Sequence, residues 1–383
     1  MQIELSYIDY GLLGALLLLL LYQCYFYLRY MVGVSRWARK NRQALPLNDE
    51  DLPGVTVIVC ARNEQTNLQD YLHTLLNQDY PRYEVIVVDD GSDDETGVIL
   101  ERYAMQCSLL YHTFVPREAR VISSKKLALT IGVKAAQYDY LLLTDADCRP
   151  QSRNWIREMM RGFADGKTEV VLGYGAYFEK KSWLNSMICY DTLFIGLQYL
   201  GMAAAGYPYM GVGRNLAYKK ETFFRNNGFR GLLGERAGDD DLFVNKVTTR
   251  HNTAIVCSQD SVTWSAPKTS WAEWVHQKRR HLSVSHNYKI SSKLRLGLEP
   301  LTRGLFYALL IAVCIFGSGW ALVISYGLWW LRLVMQLCII NVSAHKLGVR
   351  LFGIEIVVYD IVLPLISLYI FCTQPLQKKQ MYW

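Results

Sequence analysis

The sequence predicts an α/β domain carried between membrane-spanning helices. Apolar residues crowd toward the two ends of the chain. The middle alternates wholly apolar strands with amphipathic helices, and three of those strands run into acidic or polar residues. At 383 residues the chain is long enough for one large or two ordinary domains, so a small stapled scaffold is excluded. Lys and Arg outnumber Asp and Glu by 41 to 34, giving a net charge of +7. That surplus is modest and segmental, which speaks for a membrane surface and against nucleic acid as a partner. The nine cysteines stand singly, with no metal-ligand spacing, and read as reduced, small buried hydrophobes.

The stretch from Tyr10 to Leu28 carries no charge and matches a bilayer core of about 30 Å, so residues 8–30 are expected to span the membrane. Glu4 and Asp9 precede it, while Arg29, Arg36, Arg39, Lys40 and Arg42 follow, which is the reverse of a secretory signal. The positive-inside rule then puts the following domain on the cytoplasmic face of the inner membrane. At the other end, Gly304–Ile324 is uncharged and predicts a second span. Leu328–Ala344 and Leu351–Cys372 predict two more, whose Arg332, Gln336, Asn341, Glu355 and Asp360 should face other helices or a polar cavity. Two or three helices are therefore expected over 301–373, three being favoured.

Within 50–270, reached through the polar linker Pro46–Pro53, Val55–Cys60 reads as a strand and Leu68–Leu76 as a helix ended by Asp79-Tyr80-Pro81. Glu84–Val88 is a second strand, Leu127–Ala136 a helix, and Tyr140–Thr144 a further strand. Strands apolar on both faces predict a parallel sheet covered on both sides, with ligands at the carboxyl ends. Those ends carry Arg62-Asn63-Glu64, Asp89-Asp90-Gly91-Ser92 and Asp145-Ala146-Asp147, which should meet at one rim.

Asp145 and Asp147 lie two apart, so both carboxylates can face one hard cation that stays open to a diphosphate. The bland alternative is a capped turn. Asp89 and Asp90 offer acceptors suited to a uracil imide or a ribose, or else form an Asx turn. Ser124-Lys125-Lys126 can bring a cation to phosphate, or line a solvated face. In Gly238-Asp239-Asp240-Asp241 the acids suit the first turn of a helix, yet mutual repulsion should raise the pKa of one of them and fit it to accept a proton. Residues 271–300 combine Trp271, Trp274, Gln277, Arg279, Arg280 and His281, and read as a basic amphipathic segment on anionic headgroups. His276, His281 and His286 recur every five residues, a spacing that argues against a zinc site.

Taken in order, VTVIVCARNE (55–64), VIVVDDGSDD (85–94), SKKLALTIGVKAA (124–136), LLLTDAD (141–147), GVGRNLAY (211–218), AGDDDL (237–242) and QKRRH (277–281) resemble the membrane-bound family 2 glycosyltransferases, which include cellulose, chitin-oligosaccharide, hyaluronan and poly-N-acetylglucosamine synthases. The resemblance implies a GT-A (Rossmann-like) domain that uses a nucleotide-sugar donor, expected to be a UDP-sugar, with Mg2+ or Mn2+. It implies that Ala61, Asn63, Glu64, Asp89, Asp90, Lys125 and Asp145 bind the donor and that Asp145 and Asp147 hold the metal. Asp239 would be the general base, with Gly238 in place of the usual glutamate. Gln277, Arg279 and Arg280 would act at the diphosphate, and Gly213, Arg214, Asn215 and His281 on the acceptor side. Here His281 stands where the family has Trp, which weighs against processive synthesis, and Thr130 replaces an Asn. The expected activity is inverting transfer of one sugar to a lipid-linked or glycan acceptor. A processive synthase and a polyprenyl-phosphate glycosyltransferase are the nearest rivals, and a nucleotidyltransferase is the rival from another class.

Overall fold

Val57 and Val59 alternate with Ile58 along the first strand, and both sets are buried, because each face of the sheet is covered by helices. The computed structural model describes residues 5–42, 49–116, 124–233, 235 and 237–373; part of the predicted linker, 46–48, and the side chains of Arg39, Lys40 and Arg42 lie outside the description. The strands are β1 (Val55–Ala61), β2 (Tyr83–Asp89), β3 (Leu110–Phe114), β4 (Tyr140–Asp145), β5 (Cys148–Pro150), β6 (Val170–Leu172), β7 (Gly175–Tyr177), β8 (Leu216–Lys219), β9 (Thr253–Ile255) and β10 (Thr263–Ser265). The helices are α1 (Tyr7–Phe26), α2 (Val32–Arg42), α3 (Gln65–Leu76), α4 (Thr96–Gln106), α5 (Ser124–Ala135), α6 (Trp155–Met160), α7 (Trp183–Ala204), α8 (Lys220–Arg225), α9 (Asp241–Val247), α10 (Trp271–Ser283), α11 (Ile290–Phe316), α12 (Gly319–Leu347) and α13 (Glu355–Thr373).

The main sheet has the order β3-β2-β1-β4-β8-β6-β9. Its first four strands are parallel, as expected. The wholly parallel sheet does not hold, because β8 runs antiparallel to both β4 and β6. A second sheet, β5-β10-β7, extends the rim. Leu68, Leu72, Ile99 and Leu100 of α3 and α4 pack with Val57, Val59, Val85 and Val87 on one face. Ile58, Ile86 and Val88 join Ala128, Leu129 and Val133 of α5 on the other.

Among the described residues, five helices are long and apolar enough to cross a membrane. In four of them 28% of the apolar window is buried, whereas α7 has 72% of its window inside the protein. Three of the four are α11, α12 and α13. Their limits differ from expectation. The uncharged run 304–324 is cut by a turn at Gly317-Ser318, where the Ser318 side chain accepts from Ala321 N to start α12, and Ser318 N donates to Asp9 Oδ1 at 2.9 Å. The stretch 271–300 is divided between two helices: 271–283 forms α10, and 290–300 is the first part of α11. Its exposed Ile290, Leu294, Leu298, Leu301 and Leu305 form one continuous stripe at helical spacing.

The polar residues of these helices do face one another. Asp360 accepts from Arg332 Nη1 at 2.6 Å, Arg303 Nη1 at 3.1 Å, Gln336 Nε2 at 2.9 Å and the Tyr307 hydroxyl at 2.7 Å. Arg303 also donates to Glu299 at 3.0 Å. Two guanidinium and two carboxylate groups thus balance inside the bundle. Removing Asp360 takes from the buried Arg332 its carboxylate partner and leaves Arg303 with Glu299 alone, so Asp360→Ala is expected to lower stability by about 3–5 kcal/mol. A melting temperature in detergent equal to that of the unaltered protein would contradict this.

After Phe26 the first helix widens into a π turn, Tyr27–Met31. The turn lays the Tyr30 carbonyl against Gly201 of α7, where a Cβ would stand 1.8 Å from that oxygen. Only glycine permits the approach.

Candidate active site

The parallel register puts Ala61 opposite Asp89 and Cys60 opposite Asp145, so the tips of β1, β2 and β4 form one rim. Hydrogen bonds zip the first two tips together. Asn63, held at φ 55°, donates its N–H to Ser92 Oγ at 2.9 Å, and its Oδ1 accepts from Asp93 N at 2.8 Å. Asp89 Oδ1 accepts from Ser92 N at 2.8 Å, so the Asx turn weighed from the sequence is present. Asp90 N donates to the Ala61 carbonyl, and the Asp90 carboxylate is buried close enough to bear on the Cys60 thiol. Glu64 shares a hydrogen bond with Asn67; burial pushes its carboxyl up, and nearby Asp147 and Asp145 add to the effect.

Beside this rim a small cavity is lined by Cys60, Lys125, Asp145, Gly213, Asp239 and Asp240, among others. Lys125 lies at the start of α5, and its ammonium bridges Asp145 at 2.9 Å and Asp239 at 3.2 Å. Although burial opposes its charge, these two carboxylates hold Lys125 well above its ordinary pKa. The neighbouring Lys126 turns away and donates to the carbonyls of Glu235 and Ala237, which ties down the segment that leads to Asp239.

The ligand atoms of Asp145, Asp147 and Cys148 all lie within 4.8 Å of one another. Burial and the Asp145 charge push the Asp147 carboxyl up, the strain that a bound cation relieves. Two neighbouring carboxylates, of which Asp145 lines the cavity, fit a hard divalent ion such as Mg2+ or Mn2+.

The acidic triplet divides its labour in a way the sequence does not reveal. Against a large desolvation penalty, Lys125 holds the Asp239 carboxyl below its usual range. The raised groups are the other two. Asp240, pushed up by burial and by Asp239, accepts from Gly213 N at 2.7 Å and from Asp241 N. Asp241, pushed up to about 7 by burial and by Asp240, accepts from the Tyr288 hydroxyl at 2.8 Å. Gly238 sits at φ 89°, and a Cβ there would meet the Leu242 side chain at 2.5 Å, which accounts for glycine where the family carries glutamate.

A carboxyl whose folded pKa is raised binds its proton more tightly than the unfolded chain does. Stability due to Asp241 therefore falls as pH climbs from about 4 to about 7 and is level above that. Asp241→Asn is expected to melt higher than the unaltered protein at pH 8, by about 2–4 °C per kcal/mol relieved, with no gain at pH 4. An equal difference at both pH values would refute this.

On the far side, Arg214 lays its guanidinium 4.3 Å from the Tyr177 ring centroid and donates to Ala176 O, Gly175 O and Ser265 Oγ. Gln277 Nε2 donates to the Tyr177 hydroxyl at 3.0 Å, so Tyr177 joins α10 to Arg214. Arg279 is half-buried and Arg280 exposed on the same helix. Desolvation, then the Arg280, Arg214, Lys278 and Lys125 cations, push the His281 imidazolium down, although its outer edge stays open to solvent. His281 thus lies within electrostatic reach of Lys125 and Arg214, while neither it nor Arg280 lines the cavity. Asn215 does not line it either. It is fully buried, donates to Tyr174 O and Ser261 O, and accepts from Trp155 Nε1, so it braces the sheet. Tyr177 and Cys60 were missed from sequence because an uncharged residue at a strand end carries no recognisable signal.

The sequence profile described as Glycosyl transferase family 2 matches residues 56–224. These residues are a family 2 glycosyltransferase domain. Poly-beta-1,6-N-acetyl-D-glucosamine synthase of Staphylococcus epidermidis is 32% identical to this chain over 108 residues, 28% of this chain and 25% of that protein. Probable glycosyltransferase YdaM of Bacillus subtilis is 23% identical over 241 residues, 61% of this chain and 55% of that protein. The aligned chain thus spans from a quarter to about half the length of these curated relatives. A mannosyltransferase of Pyrobaculum calidifontis, PcManGT, solved in complex with GDP-Man and Mn2+, superposes with a TM-score of 0.54 at 23% identity, covering 88% of this chain and 96% of that one. The family 2 domain accordingly has the GT-A fold, and the cavity bounded by Lys125, Asp145 and Asp239 lies at the carboxyl ends of its parallel strands.

Proposed function

We propose that this protein is an inverting, metal-dependent glycosyltransferase that moves one sugar from a nucleoside diphosphate sugar to the hydroxyl of a membrane-associated glycan or lipid. The observation that carries the reading is the single cavity shared by Asp145, Asp239 and Lys125. Asn63, Glu64, Asp89 and Asp90 form the nucleoside side of the rim. Asp145 and Asp147 would hold Mg2+ or Mn2+, which when bound supplies positive charge at the donor diphosphate.

The acceptor hydroxyl attacks the anomeric carbon as the bond from that carbon to the diphosphate oxygen breaks, so the configuration inverts. The hydroxyl proton passes to Asp239. Lys125 holds Asp239 in its weakly basic form until a diphosphate draws the ammonium away; the carboxylate then gains basicity at the moment the donor is in place. Arg280 and Gln277 meet the charge that develops on the leaving diphosphate. Arg214 and His281 flank the acceptor approach.

The names of the relatives favour N-acetylglucosamine as the transferred sugar. Addition of a single unit is supported by His281 in place of a stacking Trp and by the bundle interior, which the Glu299, Arg303, Arg332 and Asp360 cluster fills. The four apolar helices, followed after α1 by exposed Arg29 and Arg36, support a place in the cytoplasmic membrane with the domain facing the cytoplasm. The test incubates native membranes holding the protein with a panel of nucleotide sugars and follows nucleotide release together with the mass of the glycosylated product. One added hexose or N-acetylhexosamine unit per acceptor is expected. Pyrophosphate released from UTP without any sugar product would replace the reading with nucleotidyl transfer, and a ladder of products with polymer synthesis.

A further inference from the structure

Among the described residues of α7, Asp191 is the sole charge in an otherwise uncharged helix, Trp183–Ala204. Its partner is Lys278, in the middle of the Gln277-Lys278-Arg279-Arg280-His281 stretch. Lys278 Nζ lies 2.7 Å from both carboxylate oxygens of Asp191, with the side chains only 9% and 15% exposed, and it also covers the Trp274 ring at 5.5 Å. Resting on the transferase reading above, we infer that Asp191 is a positioning residue for donor chemistry, acting through Lys278 to fix the rotation of α10.

The argument is geometric. At 3.6 residues per turn, Lys278 lies about 100° round the helix from Gln277 and about 160° from Arg280. A grip on Lys278 therefore fixes the direction in which the opposite flank of α10, with Arg280, is presented. Gln277 reports that rotation through its 3.0 Å bond to Tyr177, whose ring carries Arg214. The grip is itself anchored. The residue before Asp191, Tyr190, accepts from Gln336 of α12, and Cys189 reaches toward the Tyr177 carbonyl at 3.8 Å. One short segment of α7 thus ties α10 to the helical bundle and to the strand that bears Tyr177.

The test is a cycle of variants in native membranes supplied with UDP-GlcNAc, UDP-glucose and GDP-mannose, read as kcat/KM per nucleotide-binding site, with the sites counted by calorimetry. Asp191→Asn is expected to lose about 10- to 100-fold in kcat/KM, the scale of a small misplacement of catalytic groups. In an Arg280→Ala background the same change should cost less than about threefold, because the group it positions is already gone. The paired exchange Asp191→Lys with Lys278→Asp should recover activity to within about fivefold, and it keeps the question answerable if Asp191→Asn folds poorly around an unpaired lysine. An equal loss in both backgrounds, a fall only in the number of binding sites, or no loss at all would overturn the assignment. If the unaltered protein releases nucleotide from none of the three donors, the transferase reading has failed first, and this inference falls with it.

Discussion

Asp239→Asn is expected to abolish sugar transfer while nucleotide binding persists: turnover should fall about 10²- to 10⁴-fold, the range for loss of a positioned general base, and UDP affinity should stay within about threefold. The contacts at the site make the variant a clean one. Asn keeps the size of the side chain, and Lys125 retains Asp145 at 2.9 Å as a partner, so no buried cation is left alone. The rival base, Asp240, is already committed to the N–H groups of Gly213 and Asp241. Asp241 is committed to Tyr288. Calorimetry with UDP and a radiometric transfer assay on the same preparation separate binding from chemistry. Transfer at more than about a tenth of the original rate would take Asp239 out of the proton-accepting role.

The second large effect is expected at the metal. Asp147→Ala should remove the dependence of donor binding on Mg2+ or Mn2+ and lower kcat/KM by about 10³-fold, which corresponds to the several kcal/mol a bound cation contributes to charge stabilisation. The apo protein should not suffer. Asp147 is a buried acid whose charge burial and Asp145 both oppose, so its removal relieves repulsion. The expected pattern is therefore a melting temperature without metal that is equal or higher, together with loss of the upward shift that metal and UDP give the unaltered protein. A preserved metal-dependent shift in Asp147→Ala would place the cation elsewhere.

The parts of this architecture that were legible in the sequence share one property: the local pattern and the tertiary role agree. β1, β2 and β4 are buried on both faces, so each reads as an unbroken apolar run, and the acids that follow Val88 and Thr144 fall at the rim because parallel strands all end on the same side. The second half of the sheet was not legible. β6 and β9 are three residues long, too short for any periodicity, and antiparallel β8 resembles its neighbours in composition. α7 escaped notice because Asp191 interrupts its apolar run, although that residue is satisfied by a lysine 87 positions away. The turn at Gly317-Ser318 was hidden by apolar residues on both sides. Asn215 was misplaced for a related reason: its position beside Arg214 is visible in the sequence, whereas the three partners that turn its amide inward are not. The acidic triplet was recognised as a place where repulsion shifts a proton affinity, but Lys125 comes from a segment more than a hundred residues earlier and inverts the result at Asp239.

The contact between Tyr30 and Gly201 leaves no room for the amino-terminal helix to slip along the strut it touches. On the proposed reading, with the apolar helices seated in lipid, the cleft would stand at a fixed height above the headgroups, like the jaw of a gauge. Freely diffusing donors reach it from any direction. A tethered hydroxyl would reach it only if the spacer between its anchor and its sugar matched that height, so acceptor choice would become a measurement of length as well as of chemical identity.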